Sequence, residues 1–196
     1  MWKVGIMEVA VPLTLCLSAF CEEEITSPKG FAIGFGLGQQ AGDMALNLNV
    51  TSPYMHIKRT PNPHTWCAIR ISGDYLNKSA NLTGETTDSL WSYFAAQIGY
   101  VVAYEVSSFM KIYAEVGGVS VLPTDELASS TNPCFGLYGY IGNEVFYGKN
   151  LFTKNTSIFM EIGYESPLRE NRFDKLANRP YIGWGTTARA GARLYL

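Results

Sequence analysis

The sequence predicts an all-β fold, an eight-stranded antiparallel up-and-down barrel behind a short helical signal segment at residues 1–21. Three observations predict it. From Gly30 onward there is no helical period, and apolar positions recur at every second residue within segments separated by turn-rich stretches. Charged residues keep to one phase of that alternation. The connections alternate between shorter and longer, more polar stretches, as a wall of hairpins with two unlike rims requires.

The leader comes first. Lys3 precedes a mostly apolar run from Val9 to Phe20, which ends on Ser18, Ala19, Phe20 and Cys21. The run is shorter than the roughly 20 residues a helix needs to span a bilayer, so it reads as an export signal cleaved between Ala19 and Cys21. A short segment, 22–29, links it to the barrel domain, 30–196.

Eight strands are predicted, at 30–38, 44–57, 64–76, 89–104, 108–122, 133–147, 155–166 and 180–196. The first holds Gly34, Gly36 and Gly38 alternating with Phe35 and Leu37, a curved strand rather than a dinucleotide loop, since no helix follows. The second and third carry the two histidines, His56 and His64, where they face each other across 58–63. Strands four, five and eight are long enough for the ~9 to 11 residues of a tilted membrane crossing. In the fifth, Met110, Ile112, Ala114 and Val116 alternate with Lys111, Tyr113, Glu115 and Gly117. In the seventh, Ile158, Met160, Ile162 and Tyr164 alternate with Ser157, Phe159, Glu161, Gly163 and Glu165. In the last, Ile182, Trp184, Ala188, Ala190, Ala192 and Leu194 alternate with Gly183, Gly185, Thr187, Arg189, Gly191 and Arg193. The connections 58–63, 105–108 and 148–154 fall on one rim, the periplasmic one. The longer 77–88, 123–132 and 166–179, with the short 39–43, fall on the other and face outward.

Alternation alone does not say which face is wet, because a soluble lipocalin-like barrel shows the same pattern with the apolar face inward. Composition decides. Apolar residues make up 47% and charged residues 16%, with a mean hydropathy of +0.02, which is too polar for a helical membrane bundle and low in charge for a soluble domain. Lysine is nearly absent from the strands, and the last strand is apolar to the end. The predicted wall is therefore transmembrane, with lipid on its apolar face.

The charged phase then points into a narrow lumen. Lys111, Glu115, Glu161, Glu165, Arg189 and Arg193 form the predicted polar network, with Arg70, Asp74 and Glu144 as additional members. Unpaired charges there are costly, so an ion-paired, hydrogen-bonded plug is expected, with Glu161 and Glu165 facing Arg189 and Arg193. A barrel of about eight strands is largely filled by its own side chains, which argues against a general porin.

Other motifs carry less. Cys67 and Cys134 are placed near opposite rims, too far apart for a disulfide. Asn49, Asn77, Asn81 and Asn155 stand in N-x-S/T triplets, read as polar composition because Asn49 lies in a strand. Neither histidine has a nucleophile partner, and no spacing supports a catalytic, cofactor or metal site. The expectation is a non-enzyme without cofactors. A net charge of -2 and the lack of a polybasic patch point away from nucleic acid. The connection 166–179, with Arg169, Arg172 and Lys175 among Glu170 and Asp174, is the richest in charge and the candidate for a surface ligand.

The signal, the strand number, the alternating connections and the apolar closing strand up to Leu196 together resemble the small bacterial outer-membrane barrels typified by OmpX, the OmpA transmembrane domain and OmpW. The resemblance is architectural and covers nearly all of 30–196. It implies outer-membrane lipid and the outer-membrane insertion machinery as partners, and the outer membrane of a diderm bacterium as location. Members of these families end on an aromatic residue read by that machinery; here Tyr195 precedes Leu196. The resemblance implies action at the cell surface through the loops, as in OmpX-like members, or a conduit for small, hydrophobic solutes, as in OmpW-like members. The leading expectation is a structural or surface-interaction role, with the conduit as the alternative and a soluble lipocalin-like ligand-binding barrel, which the alternation alone allows, as the third.

Overall fold

A computed structural model describes residues 29–57, 64–146, 155–169 and 172–196. The expected leader, nearly all of 22–29, the connections 58–63 and 148–154, and Glu170 lie outside the described residues.

Alternating, β-branched and aromatic segments become strands, and no described residue is helical. In chain order these are β1 (Ala32–Gln40), β2 (Asp43–Thr51), β3 (Met55–His56), β4 (Thr65–Ala80), β5 (Ser89–Ser107), β6 (Met110–Leu122), β7 (Cys134–Phe146), β8 (Thr156–Pro167) and β9 (Gly185–Tyr195). β3 is a two-residue stub against the foot of β4. The other eight pair antiparallel with their chain neighbours, and β1 with β9 closes the ring from Ala32↔Tyr195 to Gln40↔Thr187. The result is an eight-stranded up-and-down barrel, whose closure leaves no long strand edge open. The chain enters and leaves at one rim, the terminal rim, and the longer connections gather at the other.

Three boundaries differ from the sequence expectation, each for a local reason. The second strand stops at Thr51 because Pro53 has no N–H to give to a ladder, and the chain turns inward at Tyr54 before β3. β4 continues past residue 76 to Ala80, where polar residues zip onto β5: Ser92 Oγ donates to Asn77 Oδ1 at 2.8 Å and Trp91 Nε1 to the Ala80 carbonyl at 2.8 Å. That extension lies above the apolar belt, so no hydrophobic alternation announces it. The last strand begins at Gly185 rather than at 180, because positive φ values at Gly183 (53°) and Gly185 (146°) break the extended run. Ile182, expected on the outer face, is buried beneath the connections instead. The tight β1–β2 turn needs left-handed backbone at Ala41 (52°) and Gly42 (91°) and follows the primed geometry of two-residue hairpins.

The wall is apolar outside and polar inside. On β8, Ile158, Met160 and Ile162 are 44%, 48% and 64% exposed, while Ser157, Phe159, Glu161 and Glu165 are buried. The same phase puts Ile33, Phe35 and Leu37 of β1, Leu46 and Leu48 of β2, and Phe94 and Ile98 of β5 on the exterior. Two apolar clusters lie within, one at each mouth, with the charged residues between them.

Candidate functional site

Among the described residues, four buried cations, Arg70, Lys111, Arg189 and Arg193, share the interior with six buried carboxylates, Asp43, Asp74, Glu115, Glu144, Glu161 and Glu165. Strand geometry assembles them. Residues two apart on a strand point the same way, and antiparallel register sets Glu161 directly beside Arg189 and Lys111 beside Glu144. Inward glycines make room for the long side chains. A Cβ on Gly38 would lie 2.8 Å from Arg189 Cγ, and one on Gly99 would lie 2.7 Å from Glu115 Oε1. The glycine-rich first strand is therefore a seat for the arginine.

Glu161 is the hub. Its carboxylate lies 3.4 Å from Arg70 Nη1, 3.6 Å from Arg189 Nη1 and 3.5 Å from Arg193 Nη2, and accepts the Tyr113 hydroxyl at 2.8 Å. Arg70 also donates to Glu115 at 2.6 Å, and Tyr138 donates to the other Glu115 oxygen at 2.6 Å. Toward the long-connection rim, Arg189 donates to Asp74 at 3.1 Å and pairs with Glu165 at 3.4 Å. Glu165 further accepts Gln40 Nε2 at 2.7 Å, Gln97 Nε2 at 2.9 Å and the Tyr140 hydroxyl. Toward the terminal rim, Arg193 pairs with Glu144 at 3.2 Å, and Glu144 accepts the hydroxyls of Tyr195, at 2.8 Å, and Ser157. Arg70, Asp74 and Glu144 thus sit in one network with Glu115, Glu161, Glu165, Arg189 and Arg193.

Lys111 is held differently. Its ammonium lies 4.4 Å from the Tyr54 ring centroid, 4.8 Å from Phe146 and 5.3 Å from Tyr195, an aromatic cage at the terminal mouth. Tyr54 comes from the stretch after Pro53, and its N–H donates to the Lys29 carbonyl at 2.9 Å.

The long-connection mouth has an apolar lid. Leu127 from one connection and Phe173, Leu176 and Ile182 from another are fully buried against Leu76, Tyr93 and Val121 of the wall. Backbone bonds clasp three connections together: Thr83 N–H donates to the Lys175 carbonyl at 3.0 Å, Ala177 N–H to Asn81 at 2.9 Å and Lys175 N–H to Leu127 at 3.3 Å. Asp174 accepts the Ser129 N–H at 2.7 Å, and hydrogen bonding from the Ser129 side chain, with that from its backbone, holds the carboxyl below the ordinary aspartate value. The Lys175 ammonium donates to the Asp125 carbonyl.

Sequence reasoning missed the uncharged partners: Tyr113, Tyr138, Tyr140, Gln40 and Gln97, with Asn47, which donates to Asp74 at 2.8 Å. All share the inward phase, which was the available signal. The lid residues had no such signal. Cys67 and Cys134 are free thiols. Asn49 is buried in the lumen, where it donates to Asn47 at 2.8 Å. His56 lies edge-on to the Trp66 ring at 5.1 Å and His64 edge-on to the Tyr104 ring at 6.4 Å. Among the described residues no three His, Cys, Asp or Glu side chains group as metal ligands.

No family model matches the chain, and no curated protein matches it. Among the described residues, ion pairs and hydrogen bonds link the strands across the barrel interior, and an apolar cluster lies toward each mouth.

Proposed function

We propose that the chain is a non-enzymatic outer-membrane barrel with a structural or surface-interaction role, its exterior in lipid and its longer connections at the cell surface. The observation that carries this reading is the reversal of polarity across the wall. Ile158, Met160 and Ile162 face out while Glu161, Arg189 and Arg193 face in. A soluble monomer rarely exposes a contiguous apolar patch beyond a few hundred Å², and here the apolar phase of strand after strand is exposed. A lipid solvent accounts for that belt, and a closed barrel satisfies the backbone within it.

The interior supports a plug over a path. Solute movement would have to break pairs such as Arg70–Glu115 at 2.6 Å and displace the lid or the Tyr54 stretch. A passing solute would have to satisfy both charges of every pair it separates, which disfavours a standing conduit. Outer-membrane lipid and the insertion machinery are the partners this reading requires, and the long-connection rim is the surface for a ligand.

The test is migration and current. Purified protein is expected to need detergent, to migrate faster unheated than heated on a denaturing gel, and to give no single-channel conductance in planar bilayers. Full solubility without detergent would overturn the membrane reading, and steady current would overturn the plug.

A further inference from the structure

One feature of the long-connection rim lies outside the ion network, at the edge of the lid. β2 starts at Asp43 and pairs with β4 only up to Asn77, but β4 runs on to Ala80. Lys78, Ser79 and Ala80 therefore pair with β5 on one side and have no wall strand on the other. A cleft of about 210 Å³ opens beside them. Its other bank is Leu176, Asn178 and Pro180 of the long connection, and Asp88 completes it.

We infer that this cleft is a binding site for a single sugar ring at the barrel's exposed end. The inference rests on the reading of that rim as the surface end. The cleft is smaller than the roughly 300–1,000 Å³ of pockets for drug-sized ligands, which suits a one-ring ligand. Its lining is mixed as a sugar requires. Pro180 and Ala80 supply apolar surface for a ring's C–H face, and Ser79, Asn81, Asp88 and Asn178 supply donors and acceptors for hydroxyls. Asp88 and Asn178 are exposed, so their polar groups give up water hydrogen bonds, not protein ones, on binding.

The charges select against an anion. The one lining cation, Lys78, is committed to Asp43 at 2.8 Å, and the remaining charged group, Asp88, repels phosphate. An uncharged polyol, met by one carboxylate and two amides, fits the set. The ring could belong to a glycolipid headgroup in the surrounding leaflet or to a free saccharide, since the cleft reads the same hydroxyls in both.

The experiment uses the full chain folded in a detergent without a sugar headgroup. D-Glucose, D-galactose, D-mannose and N-acetyl-D-glucosamine are titrated separately, with inorganic phosphate as the comparison, while the backbone amide signals of Asp88 and Asn178 are followed by NMR. At least one sugar is expected to shift both signals with millimolar affinity. Asp88→Ala should weaken that sugar about tenfold, and Asn178→Trp, which fills the cleft, should abolish it; both variants should keep heat-modifiable migration. No shift with any sugar up to roughly 50 mM, well above the range expected of so small a ligand, would overturn the inference. So would a response to phosphate alone, or sugar binding that survives Asn178→Trp. Binding strengthened on glycolipid vesicles over plain phospholipid vesicles assigns the headgroup source, and equal binding assigns the free saccharide. Sugar binding is read in detergent, so its failure leaves the lipid-facing wall, tested separately below, untouched.

Discussion

The mid-barrel network and the lid both occupy the interior, but they are held by opposite means. In the network, strands at fixed register hold charged groups that satisfy one another, and Glu161 alone meets three guanidinium groups. In the lid, irregular connections are pinned by Leu127, Phe173, Leu176 and Ile182 packing on the wall, with backbone bonds between loops. The contrast predicts that the network contributes to the barrel's global stability, whereas the lid opens as a local unit with its own free energy. Electrostatic loss should melt the barrel; hydrophobic loss at the lid should open it.

The largest effect is expected from Arg189→Leu, which leaves Asp74 and Glu165 without their guanidinium partner. Breaking buried pairs of this kind should cost about 3–5 kcal/mol of global stability, read by denaturant unfolding in detergent. Unchanged unfolding would make the network dispensable and erase the contrast. Phe173→Ala comes next. Removing this fully buried lid ring should cost about 3 kcal/mol, but as faster amide exchange at Leu176 and Ala177 with the barrel midpoint nearly unmoved. A matching fall in the global midpoint would show lid and barrel to be one cooperative unit. Tyr113→Phe removes a hydroxyl that donates to Glu161 at 2.8 Å and accepts from Arg193 at 3.2 Å. The expected loss is about 1.5–3 kcal/mol, in global unfolding only.

The smallest effect concerns pH at the lid. The folded carboxyl of Asp174 lies below its ordinary value, so its contribution is present above the unfolded pKa of roughly 3.9 and is lost as pH falls through the folded one. The lid clasp should therefore hold at neutral pH and loosen only in acid, seen as faster exchange of the Ser129 amide. Asp174→Asn should remove that acid dependence, and an acid response that persists in it would move the titrating group elsewhere.

How far the sequence could be read follows the same division. Period-two alternation placed Lys111, Glu115, Glu161, Glu165, Arg189 and Arg193 on one face of their strands, and the structure brings them, with Arg70, Asp74 and Glu144, into the barrel interior. Strand phase is local and therefore legible. The identity of each partner was less so: Arg193 meets Glu144 and Glu161, and Glu165 meets Arg189, because tilt and stagger set which charges share a level. The lid was illegible. Leu127, Phe173 and Leu176 lie in stretches with no period, where burial depends on how three distant connections meet. Ile182 was even assigned to the outer wall, since an apolar residue just before a strand continues the alternation that Gly183 and Gly185 then interrupt.

The most direct measurement of the central claim is the environment of the outer face of β8. Single spin labels at Ile158, Met160 and Ile162, in protein reconstituted into phospholipid bilayers, are to be compared for collision with molecular oxygen, which concentrates in lipid, and with a water-soluble nickel chelate. The account predicts high oxygen and low nickel accessibility at all three. High nickel accessibility at these positions would place the apolar face in water and contradict the lipid-facing barrel.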